Sequence, residues 1–338
     1  MSAPLIEVRD LVKHFPAGRG IGRRGAGVVH AVDGLTFDVR EGETLGIVGE
    51  SGCGKSTTAR LLLGLLRPTS GTVSVGGREI SSLSRAQLRP LRRDMQMIFQ
   101  DPYSSLNPRR TVGASIAEPF AIHGIAPGRA ERRRRVQELM ESVGLNPEHH
   151  NRYPHEFSGG QRQRVGVARA IALGPRIVVA DEPVSALDAS VQAQILNLLR
   201  GLQRDLGLTM VFIAHDLSVV RYMCERIAVM YLGRIVELAD VDDLFAHPRH
   251  PYTAALLSAV PVLDPQLPAR PRRTILGGDP PSATDPPPGC RFHPRCPRFV
   301  AGECDVREPL LRPGVSGALV ACHHPLTDVS SSSPVSPR

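Results

Sequence analysis

A glycine-rich segment between a strand-like and a helix-like pattern is the feature that most restricts how this chain can fold. Residues Gly49–Ser56 read GESGCGKS, follow the apolar run Thr44–Val48 and precede Thr57–Leu66, which has a helical pattern. This order is typical of a phosphate-binding loop (P-loop), in which backbone N–H groups surround the phosphates of a nucleotide. Such a loop belongs to a parallel sheet with helices on its faces, so the segment predicts an α/β fold.

The P-loop supplies most of the candidate nucleotide contacts. We expect Lys55 to reach the β- and γ-phosphates and the Ser56 hydroxyl to bind Mg²⁺. Lys55 and Lys13 are the two lysines among 41 basic residues, so an arginine-rich chain keeps a lysine where a P-loop needs one. The candidate phosphate-binding residues of this segment are Gly49, Ser51, Gly52, Gly54, Lys55, Ser56 and Thr57.

The formal charge of +8 raises nucleic acid or an anionic surface as partners, but the composition weakens both. The preference for arginine over lysine is more simply explained by genome composition. We interpret Arg132–Arg135 as a solvated helix face, with nucleic acid as the minor alternative. Trp is absent and aromatic residues make up 4% of the chain, which disfavours a stacking platform for single-stranded nucleic acid.

Targeting signals are also missing from the sequence pattern. No apolar stretch reaches about 18 residues, and Met1–Leu5 does not begin a secretory signal. We therefore expect a cytosolic protein. In that compartment the six cysteines are not expected to form structural disulfides.

The order of strand-like and helix-like segments predicts a P-loop NTPase core with an antiparallel β subdomain and a helical insertion. The predicted strands are Leu5–Val12, Leu35–Val39, Thr44–Val48, Thr72–Val75, Ile177–Ala180, Thr209–Ala214 and Ile227–Tyr231. The clearest predicted helices are Thr57–Leu66, Arg129–Val143 and Gln192–Leu206. Residues 84–166 are mainly helical in pattern and form the predicted insertion, and Pro16–Gly27 is a predicted loop between two antiparallel strands.

A second Gly-rich motif, Ser158–Gln161, also opens a predicted helix. Its backbone N–H groups and the helix dipole suit a second phosphate. One chain cannot easily bring this motif and the P-loop onto the same ATP. The pair of motifs therefore indicates two subunits that close face to face over nucleotide.

Two carboxylates and a histidine follow apolar strands. Asp181 and Glu182 come at the end of Ile177–Ala180, and His215 follows Thr209–Ala214. The carboxyl ends of parallel strands are where ligands bind in open α/β sheets. We expect Asp181 to support Mg²⁺, Glu182 to polarise the attacking water and His215 to lie near the γ-phosphate.

With these motifs, residues 5–240 resemble the nucleotide-binding subunits of ATP-binding cassette (ABC) transporters. Six motifs occur in that family's order, which makes the resemblance specific. They are the P-loop, Gln100, Ser158–Gln161, Asp181-Glu182, Asp188 and His215.

The resemblance implies a role for each motif. Gln100 would link Mg²⁺ and the attacking water to the helical insertion, and Asp188 would signal across a dimer. Glu182 would be the general base and His215 would position the γ-phosphate. Phe15 is the match to the aromatic residue that stacks on adenine. The residues that would close on ATP held by the opposite subunit are Ser158, Gly159, Gly160 and Gln161.

A narrower resemblance, to the ATPase subunits of oligopeptide/dipeptide importers, rests on three further segments and the terminal cysteine region. The segments are Tyr103–Arg109, Arg152–His155 and His250–Leu257. The resemblance implies a peripheral subunit at the cytoplasmic face of the membrane. Its partners would be a homologous ATPase, two permease subunits and, indirectly, an external peptide-binding protein. Within such a pair the chain is more similar to the second ATPase subunit.

Four functional alternatives stay open from the sequence. One is a purely regulatory protein that binds ATP without transport, and the intact catalytic residues weigh against it. A related importer for nickel or glutathione would have a similar ATPase subunit, and selectivity would lie mainly in other subunits. A soluble ABC ATPase acting on nucleic acid or the ribosome would need a long coiled coil or a second cassette, and the sequence has neither. An exporter subunit fits the segment His250–Leu257 and the terminal cysteines less well.

The C-terminal part is predicted as an extension over residues 241–325, followed by a disordered Ser/Pro tail at 326–338. Cys290, Cys296, Cys304 and Cys322 have spacings of five, seven and 17 residues, unlike paired zinc knuckles. Free thiols, a 4Fe–4S cluster, zinc and disulfides are the alternatives. The resemblance favours the 4Fe–4S cluster, since some peptide-importer subunits carry one here.

Overall fold

The structure is a computed structural model that describes residues 4–17, 27–101, 105–125, 128–259, 276–314 and 317–326. Most of the predicted loop Pro16–Gly27, the motif residues Tyr103 and Ser104, and the predicted tail beyond residue 326 lie outside these ranges. Within them, no helix is both long and apolar enough to cross a membrane.

Strands and short helices alternate along most of the described chain. The strands are β1 (Pro4–Pro16), β2 (Val28–Arg40), β3 (Thr44–Val48), β4 (Ser70–Val75), β5 (Arg78–Glu79), β6 (Met95–Ile98), β7 (Ile177–Asp181), β8 (Thr209–Ile213), β9 (Arg226–Tyr231), β10 (Arg234–Asp240), β11 (Arg312–Pro313) and β12 (Leu319–Val320). The helices are α1 (Lys55–Leu62), α2 (Arg85–Leu91), α3 (Val112–His123), α4 (Arg129–Ser142), α5 (Gly159–Ile171), α6 (Ala189–Leu206), α7 (Leu217–Met223), α8 (Val241–Ala246) and α9 (Pro251–Ser258). Short 3-10 turns occur at Pro147–Asn151, Pro154–Glu156 and His293–Arg295.

The larger sheet confirms the predicted α/β fold. Its strand order is β11-β12-β10-β9-β3-β8-β7-β6, and the strands from β9 to β6 in this order are parallel. Every residue of β3, β7 and β8 is buried, because parallel strands at the centre of such a sheet are covered on both faces.

Alternate residues of one central strand enter different cores. Val178 and Ala180 pack in the core that includes the helical region, whereas Ile177 and Val179 pack in the core shared with the antiparallel sheet. The period of two in a strand produces this division. The smaller antiparallel sheet, of order β2-β1-β4-β5, is therefore attached to the P-loop face of the main sheet through apolar burial.

The segment predicted as mainly helical, 84–166, contains a strand of the main sheet. Strand β6 pairs in parallel with β7, with Met95 opposite Ile177 and Ile98 opposite Ala180. Its four residues, MQMI, are too few and too poor in β-branched side chains to signal a strand. The helical region therefore follows β6, with α3, α4 and α5 as its helices.

Helix α1 differs from its predicted span at both ends. It begins at Lys55 rather than Thr57, so the last two P-loop residues form its first turn. It ends at Leu62 rather than near Leu66. Gly64 has φ +60° and its N–H donates to the Leu61 carbonyl at 3.1 Å, so a glycine terminates the helix inside the predicted span.

The C-terminal region is joined to the ATPase sheet. Strand β12 pairs antiparallel with β10, with Glu237 opposite Val320 and Leu238 opposite Leu319. Phe292 is fully buried and lies against Tyr231 with ring centroids 5.3 Å apart. The described residues around Phe292 and Val320 therefore pack against the nucleotide-binding part.

Candidate functional site

The P-loop passes so close to its neighbours that two of its glycines cannot be replaced without strain. A Cβ on Gly49 would lie 2.2 Å from the Met230 carbonyl oxygen, and one on Gly54 would lie 2.0 Å from that of Ala31. Gly54 also has φ +108°, which non-glycine residues rarely adopt. These contacts fix the loop between the ends of β9 and β2.

Lys55 is buried under the loop that it completes. Its Nζ donates to the carbonyl oxygens of Gly49 at 2.7 Å and Glu50 at 3.0 Å, and the residue is 5% exposed. The first turn of α1 has no acidic side chain, so its free N–H groups and dipole are not neutralised by an acid of that turn. A buried cation beside an uncompensated helix N-terminus is suited to bind a phosphate.

The structure brings together two of the three predicted Mg²⁺ ligands. The Ser56 hydroxyl donates to Asp181 Oδ1 at 3.0 Å. Asp181 is 4% exposed, and its burial raises the pKa of the carboxyl group while the bond from Ser56 opposes the shift. A hydroxyl and a buried carboxylate are the oxygen donors that Mg²⁺ prefers.

The third predicted ligand, Gln100, contacts the neighbouring carboxylate instead. Its Nε2 donates to Glu182 Oε2 at 2.8 Å, and His215 Nδ1 lies 3.7 Å from the same oxygen. Glu182 therefore lies between an amide and an imidazole at the carboxyl edge of β7.

The backbone of Glu182 is strained. Its φ is +47°, a left-handed value that is costly for a residue with a Cβ. Its N–H donates to the Ile213 carbonyl at 3.0 Å, which ties this conformation to the end of β8. Such strain is often found where a side chain must be aimed at a ligand.

The segment Ser158–Gln161, called the signature segment, forms the capped start of α5. Ser158 Oγ accepts the Gln161 N–H at 3.3 Å, and Gln161 Oε1 accepts the Ser158 N–H at 3.0 Å. This is a capping box, which holds the helix N-terminus in place. Among the described residues, no hydrogen bond connects the signature segment to the P-loop.

The signature segment packs against the start of α6. A Cβ on Gly160 would lie 2.3 Å from Val191 Cγ1, so the two helices meet there without space for a side chain. Asp188 caps α6, with Oδ1 accepting the Val191 N–H at 3.0 Å and the Ser190 hydroxyl at 2.7 Å. These two bonds lower the pKa of Asp188. On Gly159 a Cβ would meet Leu187 at an ordinary 3.5 Å.

Phe15 is the last residue but one of β1, lies opposite Val29 and is partly buried. The Lys13 ammonium lies over its ring, 5.1 Å from the centroid. A partly exposed aromatic face at this point could stack on a base.

The four C-terminal cysteines are brought close together and are free thiols. Cys290, Cys296 and Cys304 all interact electrostatically with Cys322, and burial raises the pKa of Cys322 to about 12. The pKa values of Cys290 and Cys296 are raised for the same main reason. Burial thus favours the neutral thiol at Cys290, Cys296 and Cys322.

Two contacts to the P-loop were not identified from the sequence, and both come from the C-terminal region. Arg295 forms an ion pair with Glu50, and the Tyr252 hydroxyl accepts the Glu50 N–H at 2.9 Å. The only sequence signal was indirect. Arg295 lies between two of the cysteines, and Tyr252 lies in the segment His250–Leu257.

A histidine cluster on the small sheet was also missed. His14 and His30 pair across β1 and β2, and His14 Nε2 lies 3.1 Å from Asp33 Oδ1. Donor atoms of the three residues are close enough to share a metal ion. Asp33 also forms ion pairs with Arg234 and Arg291, which already neutralise its charge.

The parallel sheet, the lysine under its glycine loop and the carboxylates at the strand ends define a P-loop ATPase of the ATP-binding cassette class. Residues 32–185 match the family model described as ABC transporter. Residues 236–304 match the model described as oligopeptide/dipeptide transporter, C-terminal region.

Relatives match over nearly the whole chain. The chain is 52% identical over 320 residues to the putative oligopeptide transport ATP-binding protein YkfD of Bacillus subtilis (strain 168), covering 95% of each. It is 50% identical to the oligopeptide transport ATP-binding protein AppF of the same strain, covering 94% of this chain and 97% of AppF. A solved dimeric ATP-binding cassette, in a post-hydrolysis state bound to ADP and Pi, has a TM-score of 0.62 at 31% identity, covering 70% of this chain and 98% of that one.

The chain belongs to the oligopeptide transport ATP-binding proteins of the ABC transporter family. It is an ABC ATPase, and its use of ATP and Mg²⁺ follows from that membership.

Proposed function

We propose that this chain hydrolyses ATP to power the import of peptides, di- or oligopeptides, through separate membrane permease subunits. Support for hydrolysis comes from one observation above all, the Glu182 carboxylate held between Gln100 at 2.8 Å and His215 at 3.7 Å. Support for peptides as cargo comes from the names of the relatives and from the matching C-terminal region.

In this proposal, different residues bind the phosphates, activate the attacking water and hold the metal ion. Lys55 binds the β- and γ-phosphates, and Glu182 takes the proton of the attacking water while His215 positions the γ-phosphate. Ser56 and Asp181, with Gln100, would hold the Mg²⁺ ion, which would neutralise charge on the phosphate oxygens. The raised pKa of Asp181 fits this role, because a cation favours the carboxylate that burial disfavours.

The signature segment completes the site of a second subunit. Ser158, Gly159, Gly160 and Gln161 present the capped N-terminus of α5, whose first turn has no acidic side chain and therefore suits the γ-phosphate of ATP bound by the opposite P-loop. Asp188, at the start of the packed neighbour α6, transmits closure between the two halves. The partner in this arrangement is a homologous ATPase subunit, and Phe15 stacks on the adenine.

The arrangement in the cell follows from the proposed transport role. Residues 5–240 form the ATPase part and 241–325 the transporter-type extension. The assembled protein is peripheral at the cytoplasmic face of the membrane, with two permease subunits and an external peptide-binding protein. Nickel chelates and glutathione are the alternative cargoes.

For the four cysteines we propose a thiolate-bound 4Fe–4S cluster, with zinc as the alternative. Four free thiols that are partly or fully buried and close to one another supply the donor set that such a cluster uses. Anaerobically purified protein should be brown and contain about four iron atoms per chain. Colourless protein with stoichiometric zinc would support the alternative, and metal-free protein would contradict both.

Hydrolysis is tested with Glu182→Gln, which keeps the hydrogen-bonding shape and removes the base. ATP binding should persist, while kcat falls about 100-fold or more, because general-base catalysis contributes roughly that much. The variant should also accumulate an ATP-bound dimer in size-exclusion chromatography. Turnover equal to wild type would remove Glu182 as the base.

Cargo is tested with the chain purified together with its permease subunits in lipid nanodiscs. ATPase activity should rise when the external binding protein is supplied with di- or oligopeptides. Stimulation by a nickel chelate or glutathione alone would instead support those alternatives. Stimulation by nucleic acid without any membrane subunit would favour the non-transport class.

A further inference from the structure

The C-terminal region reaches the P-loop through Arg295. Arg295 Nη1 lies 2.9 Å from Glu50 Oε2 and 3.2 Å from Oε1, and its Nη2 lies 3.2 Å from Oε1. The Arg295 side chain is 8% exposed and that of Glu50 25%. Because both charges are largely removed from water, this is a close and weakly screened pair.

Glu50 occupies an unfavourable place for an acid. It is the second residue of the P-loop, and its carbonyl oxygen accepts the Lys55 ammonium at 3.0 Å. A carboxylate beside a loop that binds phosphates repels them, since like charges at short range disfavour each other. Arg295, paired with Glu50, cancels that charge.

A second contact fixes the backbone at the same residue. The Glu50 N–H donates to the hydroxyl of Tyr252, which is fully buried. Tyr252 packs on Tyr231 and Phe292 with ring centroids 4.7 and 5.4 Å away. Arg295 also donates to the Tyr231 hydroxyl at 3.4 Å. Tyr231, Tyr252 and Phe292, called the aromatic cluster, thus contact both Arg295 and the P-loop.

We propose that Arg295 and Tyr252 are positioning residues for nucleotide binding, and that Arg295 acts by neutralising Glu50 inside the P-loop. The inference rests on ATP binding at this loop. It assigns to the C-terminal region a direct part in nucleotide affinity, through contacts that no P-loop pattern contains. Neither residue belongs to the P-loop itself.

The test measures binding of Mg·ADP to the full-length chain by titration calorimetry, together with ATPase kinetics. Arg295→Ala should weaken binding about tenfold and raise KM by a similar factor, while kcat falls less than threefold. Arg295→Lys should recover part of the loss, because an ammonium restores the charge but not the two-pronged contact. A purely structural role would instead lower the active fraction and leave KM unchanged.

The decisive variant removes both charges. Glu50→Gln alone should bind Mg·ADP two- to fivefold more tightly, since the loop loses a negative charge while Arg295 keeps its positive charge. The double variant Arg295→Ala/Glu50→Gln should return to within about threefold of wild type. The matched control is Arg298→Ala, which removes an exposed arginine three residues further on and should bind normally.

Two results would overturn the proposal. One is wild-type affinity in Arg295→Ala, and the other is a double variant as weak as Arg295→Ala alone. If Arg295→Ala does not fold, Glu50→Gln still decides, because weaker rather than tighter binding contradicts charge neutralisation. Lys55→Ala distinguishes failure of the Arg295 proposal from failure of the proposed ATPase function. If Lys55→Ala no longer binds Mg·ADP, the P-loop assignment holds and only the Arg295 proposal fails. If Lys55→Ala still binds Mg·ADP, the ATPase proposal itself fails.

Discussion

The tight meeting of α5 and α6 makes Gly160→Ala a sharp test of how the signature segment is held. The new Cβ would lie 2.3 Å from Val191 Cγ1, whereas ordinary carbon contacts lie at about 3.5–4.0 Å. Either Val191 must leave its preferred rotamer or the two helices must separate. Overpacking of this kind costs about 1–3 kcal/mol, which for a chain of 338 residues corresponds to a fall in Tm of roughly 1–4 °C.

The partner side chain offers a suppressor. Val191→Ala removes the atom that clashes and should cost about 1 kcal/mol alone. In the double variant Gly160→Ala/Val191→Ala the two losses should not add, because one substitution makes room for the other. ATPase activity should follow the same order, since separation of the helices displaces Ser158–Gln161.

The assay is thermal unfolding of the four proteins by calorimetry, with steady-state ATPase rates alongside. Gly166→Ala serves as the control within the same helix. A Cβ there meets nothing within 4 Å, so better helix propensity should stabilise the protein by about 1 kcal/mol. The reasoning is refuted if Gly160→Ala has the same Tm as wild type. It is also refuted if the stability loss of the double variant equals the sum of the losses of the two single variants.

Two further predictions concern the C-terminal packing. Burial lowers the pKa of His250 from 6.5 to about 3. Below pH 6.5 the unfolded state therefore binds a proton at this imidazole that the folded state does not bind. Stability should therefore fall by about 2 kcal/mol between pH 7 and pH 5. His250→Asn keeps an acceptor for the Tyr252 N–H and should reduce this pH dependence in urea unfolding; an unchanged dependence would contradict the assignment. Phe292→Ala should cost about 3–5 kcal/mol in thermal unfolding, while Phe299→Ala, at a site 44% exposed, should cost little; equal losses would argue against the aromatic cluster as an anchor.

Local patterns predicted the central strands and the groups at their ends. Asp181 and His215 follow apolar strands, and the parallel sheet brings the ends of such strands to one edge. The hydrogen bond from Ser56 to Asp181 fits that expectation. The short strand β6 was missed because it has only four residues, and the three before Ile98 are not β-branched, so it carries little signal.

Contacts between distant segments had no local signal. Arg295 and Glu50 are 245 positions apart, and each alone has the pattern of an ordinary exposed charge. The left-handed φ of Glu182 likewise depends on the end of β8 rather than on its own neighbours. Such features arise only when tertiary packing is in place, which is why residue patterns could not give them.

The pairing order of the main sheet determines when the protein can fold during synthesis. Strand β3 lies between β8 and β9, so it leaves the ribosome long before either neighbour exists. At about 5–20 residues per second, this apolar strand waits on the order of 10–30 s for a partner. The edge of the sheet next to β10 is completed later still, because β10 pairs with β12, which lies at Leu319–Val320. The nascent chain therefore has to keep its central strand from aggregating until most of the protein has been made.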